Sequence, residues 1–258
     1  MNPYQMFTSF YTIVRKDVVR IFRIWPQTFL PSIITSILYF LVFGKILGER
    51  IGEIGGHPYV TFVVPGIVML AVITNSFSNV ATTFFQAKFF ARNIDEILVS
   101  PTPPWVIISG YVAGGMVRGI VIGLLVIIVS AFFSPLPLTH PFIILLFLVL
   151  SSLLFSLAGL VNGIYAKSFD GITIVPTFVL TPLVYLGGVF YSVQALPPLW
   201  QKLTYADPIF YLINGFRDGF MGISDISLSL SIGVLLLLIA LLVAINWYFI
   251  RTGLGLRQ

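Results

Sequence analysis

Charge is missing from long runs of this 258-residue chain and gathered between them. Ile24 to Gly44 holds no Asp, Glu, Lys or Arg, and the same is true of four later stretches. A helix needs about 20 residues, at 1.5 Å rise each, to cross roughly 30 Å of hydrocarbon. Divided at its charges, the sequence predicts six spans: 24–44, 58–87, 105–134, 142–166, 171–191 and 228–250. Only Arg118 interrupts one of them. Composition agrees. Charged residues make up 9% and hydrophobic ones 58%, with mean hydropathy +1.02. An ordinary soluble domain carries about 25% charge. A water-soluble globular enzyme is therefore excluded, and the chain reads as an all-α polytopic membrane protein. Little length remains for a soluble domain of about 100 residues. Any soluble catalysis must come from a partner.

Orientation follows from the short loops. Arg15, Lys16, Arg20, Arg23, Lys88, Arg92, Lys167, Arg251 and Arg257 fall on one side, and Lys45, Arg50, Lys202 and Arg217 on the other. That imbalance predicts both termini in the cytoplasm, as an even number of spans requires. Residues 4–23 alternate apolar Met6, Phe7, Phe10, Ile13, Val14, Val18 and Ile21 with Thr8, Thr12 and the four cations at helical spacing. This predicts an amphipathic helix in the cytoplasmic interface, not a cleaved signal peptide. It is either a basic anchor that fixes topology or also a surface for a cytoplasmic partner.

Between the last two spans, Leu196-Pro-Pro-Leu-Trp200, Asp207-Pro208 and Asn214-Gly-Phe-Arg-Asp-Gly219 are too polar and proline-broken to span. Phe210, Phe216, Phe220 and Met221 are too apolar for open water. Short re-entrant helices over 195–220 fit both facts better than an ordinary outer loop, provided that protein or a water-filled cavity covers their broken backbone.

Several chemistries are absent. There is no cysteine, hence no disulfide, thiol catalyst or zinc–thiolate cluster. There is no G-x-x-x-x-G-K-[ST] loop for nucleotide phosphates, no H-E-x-x-H and no G-x-S-x-G. The basic residues are scattered and leave no nucleic-acid footprint. No acidic residue lies inside a predicted span, away from its ends. Ion-driven carriers usually hold a carboxylate near the midplane, so a secondary transporter is disfavoured. No internal repeat supports an inverted-repeat carrier.

Three polar features remain inside the spans. Arg118 falls near the bilayer middle, where an arginine costs roughly 2.5–3.5 kcal/mol on insertion scales and must face protein or water. It is a tie to polar groups of a neighbouring helix, or it contacts an anionic substrate. Gly115, Gly119 and Gly123, with Gly114, form a stripe that lets a helix approach closely. Asn75, Asn79, Thr82 and Gln86 share one face of the second span, and Thr173, Thr177, Thr181 and Tyr185 one face of the fifth. Either face can line a cavity or join helices by hydrogen bonds.

The loop Lys88-Phe-Phe-Ala-Arg-Asn-Ile-Asp-Glu-Ile-Leu-Val-Ser-Pro-Thr-Pro-Pro104 predicts a short helix capped by Asn93, with Asp95 and Glu96 in its first turn and prolines ending it. Such a rigid charged knob suits transfer of force to a docked protein. With Arg92-Asn-Ile-Asp-Glu-Ile-Leu-Val-Ser-Pro101, Gly187-Gly-Val-Phe-Tyr-Ser192 before Leu196-Pro-Pro198, and Asn214-Gly-Phe-Arg-Asp-Gly219, the chain resembles the membrane permeases of ABC-2 type exporters over nearly its whole length. Polysaccharide-export and nodulation-factor permeases belong to the same circle.

The resemblance implies the ABC-2 (type V exporter) fold and a homodimer carrying two ATP-binding-cassette subunits in a bacterial inner membrane. ATP and Mg would bind in those partners, with no cofactor or metal in this chain. Residues 4–23 would be the connecting helix. Residues 92–99 would be the coupling helix, with Arg92, Asn93, Asp95, Glu96 and Pro101 at the docking surface. The family often has Gly-Thr-Leu-Glu where this chain has Asn93-Ile-Asp-Glu96, which puts partner choice in question. Asn75, Asn79, Thr82, Arg118, Thr173, Thr177, Thr181 and Tyr185 would be path candidates at the dimer interface. Pro197, Pro198, Asn214 and Arg217 would belong to an outer gate. The alternative is a stand-alone channel or carrier for a small or amphipathic solute.

Overall fold

In hydrocarbon, every backbone N–H and C=O must find a partner within its own segment, which is why uncharged apolar runs fold as helices. A computed structural model of the chain describes residues 2–90 and 100–255. Among them, six helical runs are long and apolar enough to cross a membrane. Helix α1 (Pro3–Arg23) precedes them. The first run, Trp25–Ile51, joins α2 (Trp25–Tyr39), a π-helical stretch (Phe40–Ile46) and α3 (Gly48–Ile51). It continues past the expected end at residue 44, because Lys45 near its end does not stop it. Gly52 does, with φ +76. A two-residue hairpin follows, β1 (Glu53–Ile54) pairing antiparallel with β2 (His57–Pro58).

The second, third and fourth spans are α4 (Tyr59–Phe89), α5 (Pro104–Ser130) and α6 (Pro141–Tyr165). The third ends at Ser130, four residues before the expected boundary, in turns that lead to Pro135. The fifth run is α7 (Phe169–Val175), a π-helical stretch from Pro176 to Leu180, and α8 (Thr181–Leu186). Proline brings no N–H to the ladder, so the helix widens there. The run stops at Leu186, before Gly187 and Gly188, not at residue 191. Two shorter helices, α9 (Pro198–Ala206) and α10 (Pro208–Met221), precede the last span, α11 (Leu228–Thr252).

Helix α4 is the axis of the molecule. Its apolar window is 78% buried and that of α6 is 67%, against 11% for α11. The glycine stripe explains how α5 reaches both central helices. A Cβ on Gly119 would meet Ser76 Oγ of α4 and crowd Ser152 of α6, and one on Gly115 would meet Val80 and Ser156. Between α4 and α6, a Cβ on Gly159 would strike the Phe77 carbonyl. Buried polar groups fix the outer helices: Asn246 of α11 donates to Leu157 O of α6 (3.1 Å), and Asn162 donates to Ile172 O of α7 (3.0 Å). Lys88, counted above among loop cations, is buried instead and donates to Ile164 O (2.9 Å) and Gly255 O (2.5 Å).

Candidate functional site

The polar residues of the second span form a seam, and the seam reaches α1. Asp17 of α1 is buried, in space that Gly114 of α5 leaves by lacking a Cβ. Asn79 donates to Asp17 Oδ2 at 2.8 Å. Arg20, one turn along α1, donates to Asp17 Oδ1 (2.6 Å), Asn79 Oδ1 (3.0 Å) and Thr83 Oγ1 (2.5 Å), and more weakly to Gln86 Oε1 (3.4 Å). Arg118 enters from α5 and donates to Asn75 Oδ1 (3.2 Å) and Asn79 Oδ1 (3.4 Å). Asn75 then donates to Ser32 Oγ of α2 (3.0 Å). One chain of hydrogen bonds thus joins α1, α2, α4 and α5.

Arg118 therefore contacts amide oxygens of a neighbouring helix. Its Nε is buried without a hydrogen-bond partner. Thr83, not Thr82, supplies the hydroxyl of this seam, at four-residue spacing from Asn79. Asp17, Arg20 and Ser32 were not among the site residues expected from sequence. The signal for Asp17 was present: it is the one acid on α1, on a helix otherwise charged only by cations.

Asn75 also faces a groove of about 310 Å³ between α2, α4 and α8, lined by Ser32, Thr35, Tyr39, Thr74, Thr181 and Tyr185 among others. This brings Asn75, Thr181 and Tyr185 together. Thr173 and Thr177 lie on the exposed face of the same run, and Thr173 and Thr181 satisfy their hydroxyls on backbone carbonyls of their own run (2.9 Å each). Aromatic rings gather beside the groove: Phe190 lies 4.2 Å from Phe43, 5.7 Å from Tyr185 and 6.0 Å from Tyr39.

The residues expected at an outer gate divide into two kinds. Pro197 and Pro198 are exposed and open α9. Asn214 and Arg217 are buried ties. Asn214 accepts from Asp225 N (2.7 Å) and donates to Ile226 O (3.1 Å). Arg217 donates to Gly188 O (2.8 Å) and stacks over Phe62, 3.9 Å from the ring centroid. Burial lowers its pKa to about 10, which leaves it charged at neutral pH. Helix α10 comes close enough because Gly215 leaves room for the Phe147 ring. Asp207 caps α10 through Ile209 N (2.9 Å), while its Oδ2 is buried without a partner. Burial pushes its carboxyl up to about 7, against the opposing pull of the Ile209 hydrogen bond.

Pro101 is exposed in a turn, with Ser100 and Thr102 hydroxyls 2.7 Å apart beside it. Arg92, Asn93, Asp95 and Glu96, and with them the expected coupling helix 92–99, lie outside the described residues. No group of three or more metal-ligating side chains occurs among the described residues.

Six apolar helical runs among the described residues, packed about a central span with a polar seam inside, define a polytopic membrane protein. The ABC-2 type transporter family profile matches residues 8–221, and the chain belongs to that family. It is 52% identical over 247 residues to the inner membrane transport permease YadH of Escherichia coli, covering 96% of each chain. It is 24% identical over 220 residues to nodulation protein J of Neorhizobium galegae, covering 85% of this chain and 84% of the relative. Against nodulation protein J of Sinorhizobium fredii the identity is 25% over 248 residues, covering 93% and 91%. The chain is thus an ABC-2 family transport permease, the membrane subunit of an ABC transporter.

Proposed function

We propose that this chain is the permease of an exporter in the bacterial inner membrane, acting as a homodimer driven by a separate ATP-binding-cassette subunit. Both termini are cytoplasmic in this reading. Residues 92–99 and α1 form the surface that meets the ATPase, which binds ATP and Mg. Closure of the ATPase pair moves that surface, and differential binding of ATP to the two states supplies the free energy. The path runs between two copies, along the groove of Asn75, Thr181 and Tyr185 and the exposed threonine face of the fifth span. Helices α9 and α10 form a re-entrant outer gate, with Asn214 and Arg217 as its internal ties. The observation that carries the reading is family membership across 8–221. The exposed first and fifth spans support it by leaving a polar groove on uncovered faces.

The test is co-purification with candidate ATP-binding-cassette subunits and assay of ATP hydrolysis in the intact complex. Asp95→Ala with Glu96→Ala is expected to lose assembly or hydrolysis. If no ATPase binds and the chain alone conducts a solute, the protein is a channel or carrier and this reading fails.

A further inference from the structure

The last turn of α4 places Lys88 in the interior, just before the chain runs on toward residues 92–99. Its Nζ donates to Ile164 O (2.9 Å) in the last turn of α6 and to Gly255 O (2.5 Å) in the turn that follows α11. Carbonyls at a helix end have no N–H of a next turn to meet them, and the helix dipole favours a cation there. One side chain of α4 thus completes the ends of two other spans. Gly255 lets the turn come back to this point. Its φ is +80, and a Cβ on it would lie 3.1 Å from the Ile164 side chain and 3.3 Å from Ile164 O. Phe249 of α11 meets Tyr165 of α6 edge to face at the same junction, with centroids 5.0 Å apart.

The three spans differ in how they are otherwise held. Helices α4 and α6 are buried along most of their apolar windows, whereas that of α11 is 11% buried. Helix α6 packs against both α4 and α11. Asn246 ties α11 to Leu157 O of α6, a bond that does not reach α4. The bond from Lys88 to Gly255 does, because the lysine side chain extends across the end of α6. If α4 shifted without α11, Lys88 would stay buried and lose this acceptor, which is costly for a buried donor.

We propose that Lys88 is a positioning residue that makes the end of α11 move with α4, so that displacement of 92–99 by the ATPase is carried to the last span. The proposal rests on the reading that the chain is a homodimer whose 92–99 segment meets the ATPase. Packing moves α6 with α4, and the tie through Lys88 adds α11 to the moving unit.

Because the chain has no cysteine, one spin label at Tyr248→Cys in each copy reports the distance between the two α11 helices. Leu124→Cys does the same for α5, and both sites are exposed. In the complex with its ATPase in lipid nanodiscs, both distances are expected to differ between the ATP-free and vanadate-trapped states. Lys88→Met should abolish the difference at 248 and keep that at 124, with ATP still hydrolysed. Lys88→Arg, which keeps two donors, should restore it. Gly255→Ala attacks the tie from the other side and should act as Lys88→Met does; it decides the matter if Lys88→Met fails to assemble. Asn246→Leu removes the tie that does not reach α4 and should leave the difference at 248 in place. The proposal is overturned if the wild type shows no difference at 248, or if that difference survives Lys88→Met or Gly255→Ala. It is overturned equally if Asn246→Leu abolishes the difference too, or if the 124 difference is lost along with it, since either marks a general loosening. If the wild-type chain forms no dimer or binds no ATPase, it is the exporter reading that fails, and this proposal with it.

Discussion

Asn79 and Asp17 meet at 2.8 Å across the boundary between the second span and the amphipathic helix, and neither is open to solvent. The pair attaches α1 to the core of the bundle by a buried carboxylate, not by apolar contact alone. Removing one partner of a buried ion pair costs about 3–5 kcal/mol, because the other charge is left uncompensated. Asp17→Ala is therefore expected to lower the thermal unfolding midpoint sharply, by the equivalent of about 3 kcal/mol. Arg20 remains half-exposed, so the lower end of that range applies. Asp17→Asn combined with Arg20→Gln removes both charges and should recover part of the loss. Equal midpoints for Asp17→Ala and the wild type would show that the seam does not hold α1.

Arg118 should behave differently. Its acceptors are neutral amide oxygens, and Asn79 Oδ1 keeps Arg20 when Arg118 is gone. Arg118→Met loses hydrogen bonds to Asn75 and Asn79 but also relieves a buried guanidinium whose Nε is unsatisfied. The two effects offset, and the expected net change is within about 1 kcal/mol. A loss as large as that of Asp17→Ala would contradict this account.

Asp207 makes stability depend on pH. Its pKa rises from 3.8 to about 7 on folding, so the folded chain binds more protons than the unfolded one between those values. Its contribution to stability is full below the lower value and declines as pH rises toward the upper one. Asp207→Asn keeps an acceptor for Ile209 N and cannot ionise. The variant should gain stability relative to wild type on going from pH 5 to pH 8, measured as the difference in unfolding midpoint. A difference that stays constant with pH would refute the buried-carboxyl argument.

The glycine stripe gives a rescue experiment. Gly119→Ala would force a methyl onto Ser76 Oγ, a removable atom. Overpacking of this kind costs about 1–3 kcal/mol. Adding Ser76→Ala should restore most of it. Gly159→Ala meets the Phe77 carbonyl, which no side-chain change removes, so it should be as damaging with Ser76→Ala as without.

The six spans and the amphipathic helix could be read from the chain because each is a local property. A run of apolar residues near 20 long, or a helical alternation of apolar and cationic residues, carries its own physical requirement. Boundaries were less legible. Lys45 sits inside a helix that runs on to Ile51, and Lys88, which counted as a loop cation, is buried against Ile164 and Gly255. Lys88, at the end of its span, has carbonyl partners within reach, and one-dimensional counting cannot see them.

Helical spacing placed Asn75 and Asn79 on one face, and also Thr82, because offsets of three and four are both acceptable on a helix. Only the angle at which α1 and α5 cross α4 selects Thr83 for Arg20. Sequence likewise set the cost of Arg118 in a span but not its partners. By itself, the sequence determined how many times this chain can cross a membrane, which residues cannot face lipid, and the family it resembles, since those follow from composition and order along the chain. Which polar groups meet was decided by tertiary structure alone. Gly114 admits Asp17 and Gly119 admits Ser76 because two helices come close there, and that approach depends on residues far apart in sequence.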